Sequence, residues 1–274
     1  MQQPFTKYHA LGNDFVVVDR RATGIDLSPE ETIAWCDRHR GVGADGVLAL
    51  LPAPGAAARM VVHNADGSVA EMCGNGLRCV VKHLADEQRT QPEELAVETG
   101  AGRLVSSLRY ESSGEAREIT VDLGRVHLAA PHLPRAPGGG PFLEQSFEGR
   151  LASAVSLGNP HLVLLDAGPE QAKTLGPGLE RHPAFPERTN VECAVPRGAG
   201  LEVVVWERGV GLTLACGTGA AATVAAWALA GRLAFDTWIA VDLPGGRLEV
   251  KVLGDLSHAY LRGGAVRVFR GIHE

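Results

Sequence analysis

An α/β (α+β) fold made of two related halves is predicted by three observations in this 274-residue sequence. Strand-like segments dominate, two segments have helical character, and motifs of the first half recur in order in the second. The strand-like segments are L-A-V-E-T (95–99), I-T-V-D-L (119–123), L-E-V-V-V-W-E (201–207), W-I-A-V-D-L (238–243), L-E-V-K-V-L (248–253) and V-R-V-F (266–269). They are rich in β-branched residues, several alternate apolar with polar, and Gly or Pro punctuates between them. The first helical segment runs from about Gly76 to Glu87, with Leu77, Val80, Val81 and Leu84 at i, i+3, i+4 and i+7. The second runs from about Gly219 to Ala230, is apolar on every face and is closed by Gly231. A helix apolar all round must be wrapped by other elements, so many strands with one enveloped helix predict a sheet curled around it.

The two helices share an entrance. E-M-C-G-N-G (71–76) precedes the first and L-A-C-G-T-G (214–219) the second, which places Cys216 143 residues after Cys73. At the same offset V-V-H-N-A-D-G (61–67) lies over V-V-W-E-R-G-V (204–210), with Asn64 over Glu207. L-G-N-D-F (11–15) and L-G-N-P-H (157–161) differ by 146. Three ordered matches at nearly one spacing, about half the chain, argue for duplication of a unit of roughly 140 residues. The halves are read as 1–117, completed by a C-terminal strand at 265–274, and 118–264. The Pro/Gly-rich stretch 131–141 reads as a surface excursion early in the second half.

Composition narrows the function. The formal net charge is −6 with no run of like charges, so a nucleic-acid partner is not expected. The 34 glycines, about 12% against a usual ~7%, imply many tight turns and close backbone approaches. The N-terminus carries no apolar stretch of signal-peptide length. The charge-free span from Gly209 to Gly231 has a truly apolar part of only Ala220 to Ala230, short of the ~20 residues of a spanning helix, so no membrane partner is expected. Five cysteines, an odd number, are expected as reduced thiols in the cytoplasm.

Cys73 and Cys216 each stand just before G-x-G and a helix. Free backbone N–H groups and the positive end of the helix dipole favour an anion there, and such a setting lowers a thiol toward neutrality. The glycines let a ligand carboxylate approach the backbone beside the sulfur. An isolated cysteine would more simply be a small buried hydrophobe; two at matched repeat positions point to chemistry. Pseudo-twofold halves would bring the thiols face to face, one removing an α-proton and the other delivering a proton to the opposite face. The pair is not C-x-x-C, no His/Cys cluster has metal-ligand spacing, and none of the four lysines suggests a Schiff base. Neither metal nor cofactor is expected.

Five blocks in register make the sequence resemble the diaminopimelate epimerase family. They are K-Y-H-A-L-G-N-D-F-V-V-V-D (7–19), H-N-A-D-G-S-V-A-E-M-C-G-N-G-L-R-C (63–79), S-L-G-N-P-H (156–161), F-P-E-R-T-N-V (185–191) and W-E-R-G-V-G-L-T-L-A-C-G-T-G (206–219). The resemblance implies two pseudo-symmetric halves, each a curved, mostly antiparallel sheet around a central helix. It also implies a cofactor-independent epimerase that interconverts L,L- and meso-diaminopimelate in lysine and peptidoglycan-precursor synthesis, with a homodimer as the family-level state. Cys73 and Cys216 would be the acid/base pair, exchanging roles with reaction direction. Asn13, Asn64, Asn159, Asn190, Glu207 and Arg208 match the family's substrate contacts. Gly74, Asn75, Gly217 and Thr218 match the loops whose backbone holds the reacting carboxylate, and His161 and Glu207 match residues that tune the cysteines. Gly46 departs from the pattern, since some members offer glutamine there. Thr218 keeps the hydroxyl of the alternative serine.

Simpler roles compete at these positions. The four asparagines sit in turn-like contexts where the side chain often bonds its own backbone. His161 could be a satisfied structural histidine, and Arg208 with Glu207 an exposed ion pair of little worth. Among functions, a proline or hydroxyproline racemase of the same fold is the nearest alternative. Its substrate lacks the distal amino-acid end that Asn64, Asn159, Asn190 and Arg208 would serve, and C-G-N-G differs from the C-G-H-G associated with that group. A phenazine-biosynthesis-type relative lacks the cysteine pair, and a thiol-redox protein is the remote third.

Overall fold

The computed structural model describes residues 2–88 and 90–273; Met1, Arg89 and Glu274, inside the expected halves, lie outside the described residues. Two compact units divide the chain, Met1–Val121 with Arg262–Glu274, and Asp122–Leu261. The elements run β1 (Gln3–Ala10), β2 (Asn13–Asp19), α1 (Pro29–Cys36), β3 (Gly46–Leu51), β4 (Ala58–Asn64), β5 (Val69–Ala70), α2 (Gly74–Glu87), β6 (Glu94–Thr99), β7 (Gly102–Tyr110) and β8 (Ala116–Asp122). Next come β9 (Gln145–Phe147), β10 (Arg150–Ser156), β11 (Pro160–Leu164), α3 (Ala172–Glu180), β12 (Asn190–Arg197), β13 (Gly200–Glu207) and β14 (Gly211–Leu212). The chain ends with α4 (Gly217–Leu229), β15 (Ile239–Leu243), β16 (Gly246–Val252), β17 (Ala259–Gly263) and β18 (Val266–His273).

The same pairing scheme appears in each unit. In the first, β1–β2 is antiparallel, β2–β3 parallel, β3–β4 antiparallel, β4–β6 parallel and β6–β7 antiparallel. In the second, β10–β11, β11–β12, β12–β13, β13–β15 and β15–β16 repeat that order of senses. Even the register recurs, with Ala58 opposite Val97 and Leu201 opposite Val241. β18 adds to the first unit antiparallel to β1.

Strands in the middle of each sheet are buried on both faces, which explains why their sequences read as continuous apolar runs. In β3 every residue is buried. Val47, Ala49 and Leu51 pack in a cluster with Trp35 and Cys36 of α1, while Leu48 faces the start of α2. In the second unit Leu162, Leu164, Val191 and Cys193 pack with Leu179 of α3. Strand alternation therefore turns His161, Asn190 and Glu192 to the other face, toward α4.

α4 is wrapped as its all-apolar sequence requires, with every residue from Gly219 to Ala228 buried. Gly231 closes it at φ +69°, a conformation that favours glycine. α2 departs from the amphipathic reading. Its polar positions are buried too, including Arg78, Lys82 and His83. They are tolerated because partners are built in: Lys82 Nζ donates to Ala116 O at 2.9 Å and lies 3.3 Å from Asp86, and His83 lies 3.4 Å from both Tyr8 Oη and Glu87. The stretch 131–141 is a turn-rich excursion whose backbone closes on itself through Ala136 and Gly140.

Candidate active site

Both helices begin two residues earlier than their apolar periodicity indicates, because a cysteine caps each. Cys73 is the N-cap of α2 and its Sγ accepts Gly76 N–H at 3.4 Å; Cys216 is the N-cap of α4 and accepts Gly219 N–H at 3.4 Å. Extended backbone at both caps (φ −140° and −121°) aims each sulfur across its own helix start. The two glycines leave little room. A Cβ at Gly219 would lie 3.1 Å from Glu192 Oε1 and 3.2 Å from Cys216 Sγ.

In the first unit Cys73, Asn13 and Asn75 come together. Asn13 Oδ1 accepts Asn75 Nδ2 at 3.2 Å and faces Cys73 Sγ at 4.0 Å, while Asn13 Nδ2 donates to Asp45 Oδ2 at 2.9 Å. Asn75 is held from behind by Arg78, whose Nη2 donates to Asn75 Oδ1 at 2.7 Å and whose Nη1 donates to Gly74 O at 3.3 Å. Asn64 sits at the exposed end of β4, where Nδ2 donates to Ser68 Oγ at 2.9 Å. That partner lies within its own turn.

In the second unit a polar pocket surrounds Cys216. Its Sγ lies 3.6 Å from Thr218 Oγ1, and Asn159 Nδ2 donates to that hydroxyl at 3.5 Å. Asn159 Oδ1 in turn meets His161 Nε2 at 3.0 Å, and His161 Nδ1 meets Glu192 Oε1 at 2.6 Å. Both members of that last pair are wholly buried. Glu207 Oε1 accepts from Thr213 Oγ1 at 2.6 Å. Asn190 Oδ1 accepts Arg208 N–H at 2.9 Å and its Nδ2 donates to Pro160 O at 3.0 Å, so this asparagine ties the Arg208 backbone to the start of β11. Arg208 itself is exposed and donates through Nη1 to Glu187 O at 2.9 Å. No ion pair with Glu207 forms among the described residues.

The electrostatics correct one expectation. Burial pushes the Cys216 thiol well above its ordinary value, and the carboxylates of Glu207 and Glu192 push it further; the Thr218 and Gly219 hydrogen bonds only partly oppose this. A helix N-terminus alone does not bring this thiol toward neutrality. Burial also raises Glu207 against its interactions with Thr213, His161 and Cys216, and raises Glu192 against His161. Three acidic groups thus share one desolvated pocket, which favours the protonated thiol.

A family model for diaminopimelate epimerase matches residues 5–129 and 153–268. The chain belongs to the diaminopimelate epimerase family. The diaminopimelate epimerase of Synechococcus elongatus is 41% identical over 285 residues, covering 100% of this chain and 99% of that protein. Among solved structures, a predicted epimerase from Pseudomonas aeruginosa aligns with TM-score 0.73 at 17% identity, over 98% of each chain. A hydroxyproline epimerase from Agrobacterium vitis with bound trans-4-hydroxy-L-proline aligns with TM-score 0.70 at 16% identity, over 99% of this chain and 91% of that one. At such identities the structural likeness shows the fold alone.

At Gly46 the local backbone leaves no room for a side chain. Gly46 is buried on β3, and a Cβ there would lie 2.5 Å from His63 O. Several supporting residues escaped sequence reasoning. Glu192 orients His161, and Thr213 holds Glu207. Glu180, from α3, accepts Trp206 Nε1 and Gly209 N–H, each at 2.9 Å, which fixes the turn carrying Glu207 and Arg208. The sequence signal was available in part, since E-C (192–193) follows the quoted T-N-V block directly.

Proposed function

We propose that this chain interconverts L,L-2,6-diaminopimelate and meso-diaminopimelate without a cofactor, by two-thiol acid/base chemistry. The carrying observation is the matched pair of helix-capping cysteines, each with its sulfur on a backbone N–H of G-x-G. One thiolate removes the α-proton and the other thiol delivers a proton to the opposite face, inverting the centre. The backbone of Gly74, Asn75, Gly217 and Thr218 receives the reacting carboxylate, as helix N-termini receive anions. Asn13, Asn64, Asn159, Asn190, Glu207 and Arg208 contact the rest of the substrate, with Arg208 on the distal carboxylate. His161 and Glu207 tune Cys216. A proline-type substrate would leave that distal set without a partner.

Solvent isotope exchange tests the mechanism. In D₂O, early product from unlabelled L,L-substrate should carry deuterium at its inverted α-carbon, while remaining substrate stays nearly unlabelled. Early product that retains its original hydrogen would sink the two-thiol reading.

The same reading includes a homodimer working in the cytoplasm, where its cysteines stay reduced. The dimer is supported by the apolar side chains that β18 leaves exposed, Val266, Val268, Phe269 and Ile272. Light scattering should give twice the chain mass of 28.9 kDa, and Val268→Asp should shift it toward the monomer. A monomeric wild type ends that proposal. No helix of the described residues is long and apolar enough to cross a membrane.

A further inference from the structure

Arg78 has no role in the chemistry described so far, yet it is the largest fully buried side chain of the described residues. It lies on α2 one turn beyond the Cys73 cap. Burial lowers it only to about 10, so it is charged at neutral pH. Among the described residues no carboxylate pairs with it. Its acceptors are neutral: Asn75 Oδ1, Gly74 O and, at 3.4 Å, Gly264 O. A buried cation without a counterion is costly, and the groups that interact with its charge are the thiols of Cys79 and Cys73. Cys79 is wholly buried and pushed far above an ordinary thiol, so it stays neutral.

We infer that Arg78 is a positioning residue that makes Cys73 the anionic member of the thiol pair, an inference that rests on the two-thiol reading above. Its guanidinium has two tasks. The charge beneath the helix start favours a negative sulfur at the cap. The hydrogen bond to Asn75 Oδ1 fixes which way that amide points, so Nδ2 faces Asn13 Oδ1. Asn13 Oδ1 is thereby held toward Cys73 Sγ, an acceptor for S–H once the sulfur has taken up a proton. A group that alternates between acid and base needs support in both protonation states, and this relay supplies it.

The repeat sharpens the contrast. At the 143-residue offset Ala221 stands where Arg78 does, and Thr218 stands where Asn75 does. Gly76 neighbours Leu48, whereas Gly219 neighbours Glu192. One thiol therefore has a buried cation at its helix start, with the Asp45 carboxylate behind Asn13 paired to Arg38, and the other has buried carboxyls. Other charged groups packed around α2 are already engaged. On β1 and β2 Lys7 pairs with Asp14, on β4 His63 pairs with Asp26, and on β18 Arg267 lies near Asp86. Along α2 Lys82 pairs with Asp86 and His83 with Glu87. On β6 Glu98 alternates away from the inward Val97 and Thr99. Tyr8 is raised by burial and stays neutral.

The test is site-resolved alkylation by iodoacetamide across pH, read by mass spectrometry on the full chain, for wild type, Arg78→Leu and Arg78→Lys. Wild-type Cys73 should titrate below free cysteine, ~8.5, and below Cys216. Arg78→Leu should move the Cys73 midpoint up by about one pH unit or more and leave Cys216 in place; Arg78→Lys should keep the low midpoint. A Cys216 midpoint below that of Cys73, or a Cys73 midpoint unmoved in folded Arg78→Leu, overturns the inference. If circular dichroism shows that Arg78→Leu does not fold, the wild-type order and the Arg78→Lys midpoint decide. Alkylation needs no substrate, so a chain inactive on diaminopimelate but with Arg78-dependent Cys73 reactivity would defeat the proposed function and leave this inference standing.

Discussion

Each capping cysteine does at its helix start what serine or aspartate does at others, accepting a first-turn N–H that has no partner within the helix. The difference lies in what stands around the sulfur. Cys73 has Asn13 and, through its helix, Arg78; Cys216 has Thr218, Glu207 and Glu192. Replacing either cysteine by alanine should lower epimerisation by about 10²–10⁴-fold, the usual worth of a general acid or base, measured as kcat on each stereoisomer. Wild-type rates in either variant would remove that residue from the chemistry. Arg208→Ala should weaken substrate binding roughly tenfold to a hundredfold, since a charge-assisted hydrogen bond contributes roughly 1.5–3 kcal/mol. An unchanged KM for L,L-diaminopimelate would show that the exposed guanidinium serves something else. The C-G-x-G signature was legible because a cap and its glycines are neighbours in sequence. Glu192 and Arg78 were not, because their roles come from facing inward onto α4 and within α2, and spacing alone does not reveal that.

At the scale of elements, the close fit around the two helix starts should be felt in activity. Gly219→Ala places a methyl near Val205, Glu192 and Cys216 Sγ, at 3.0, 3.1 and 3.2 Å. Alanine itself suits a helix, so the expected outcome is a folded protein with strongly reduced kcat, checked by circular dichroism beside the assay. Full activity would mean the sulfur can shift freely. Strands were legible where β-branched residues alternate, and β18 runs on past its V-R-V-F core to His273 because β1 pairs with it along that length. α1 carried its own local signal: Ser28 and Glu31 form a capping box with Pro29 at the first helical position. Its helix is only 8 residues long, too short for apolar periodicity to mark it. The parallel pairs β2–β3 and β11–β12 had no local signal, since their partners are joined through long crossovers.

For the whole molecule, titration of buried carboxyls ties stability to pH. Burial raises Glu207, so the folded protein holds that proton longer than the unfolded chain does. Its contribution is fully present below the ordinary glutamate value of 4.5 and is lost as pH rises through the folded value. Glu207→Gln cannot titrate, and its urea midpoint should gain on wild type from acidic to mildly alkaline buffer; parallel curves would contradict this. Asp14 behaves in the opposite sense. Burial alone would raise it, but hydrogen bonds from Arg38 and Lys7 hold it well below the ordinary aspartate value of 3.8. Its contribution is present above that value and is lost as pH falls through the folded value. Asp14→Asn should therefore cost more stability at neutral pH than in acid, and an equal cost at both would separate Asp14 from the acid limb.

Duplication, the enveloped helix α4 and the cysteines ahead of G-x-G were determined by the sequence itself, because each is written in residues close together or repeated at one offset. The tertiary structure alone decided how the thiols differ. Strand pairing between distant segments turned His161 and Glu192 inward beside Cys216, and the wrapping of α2 buried Arg78 near Cys73. Burial strengthens each charge by removing water, so residues silent in the pattern set the protonation of the groups that the pattern displays.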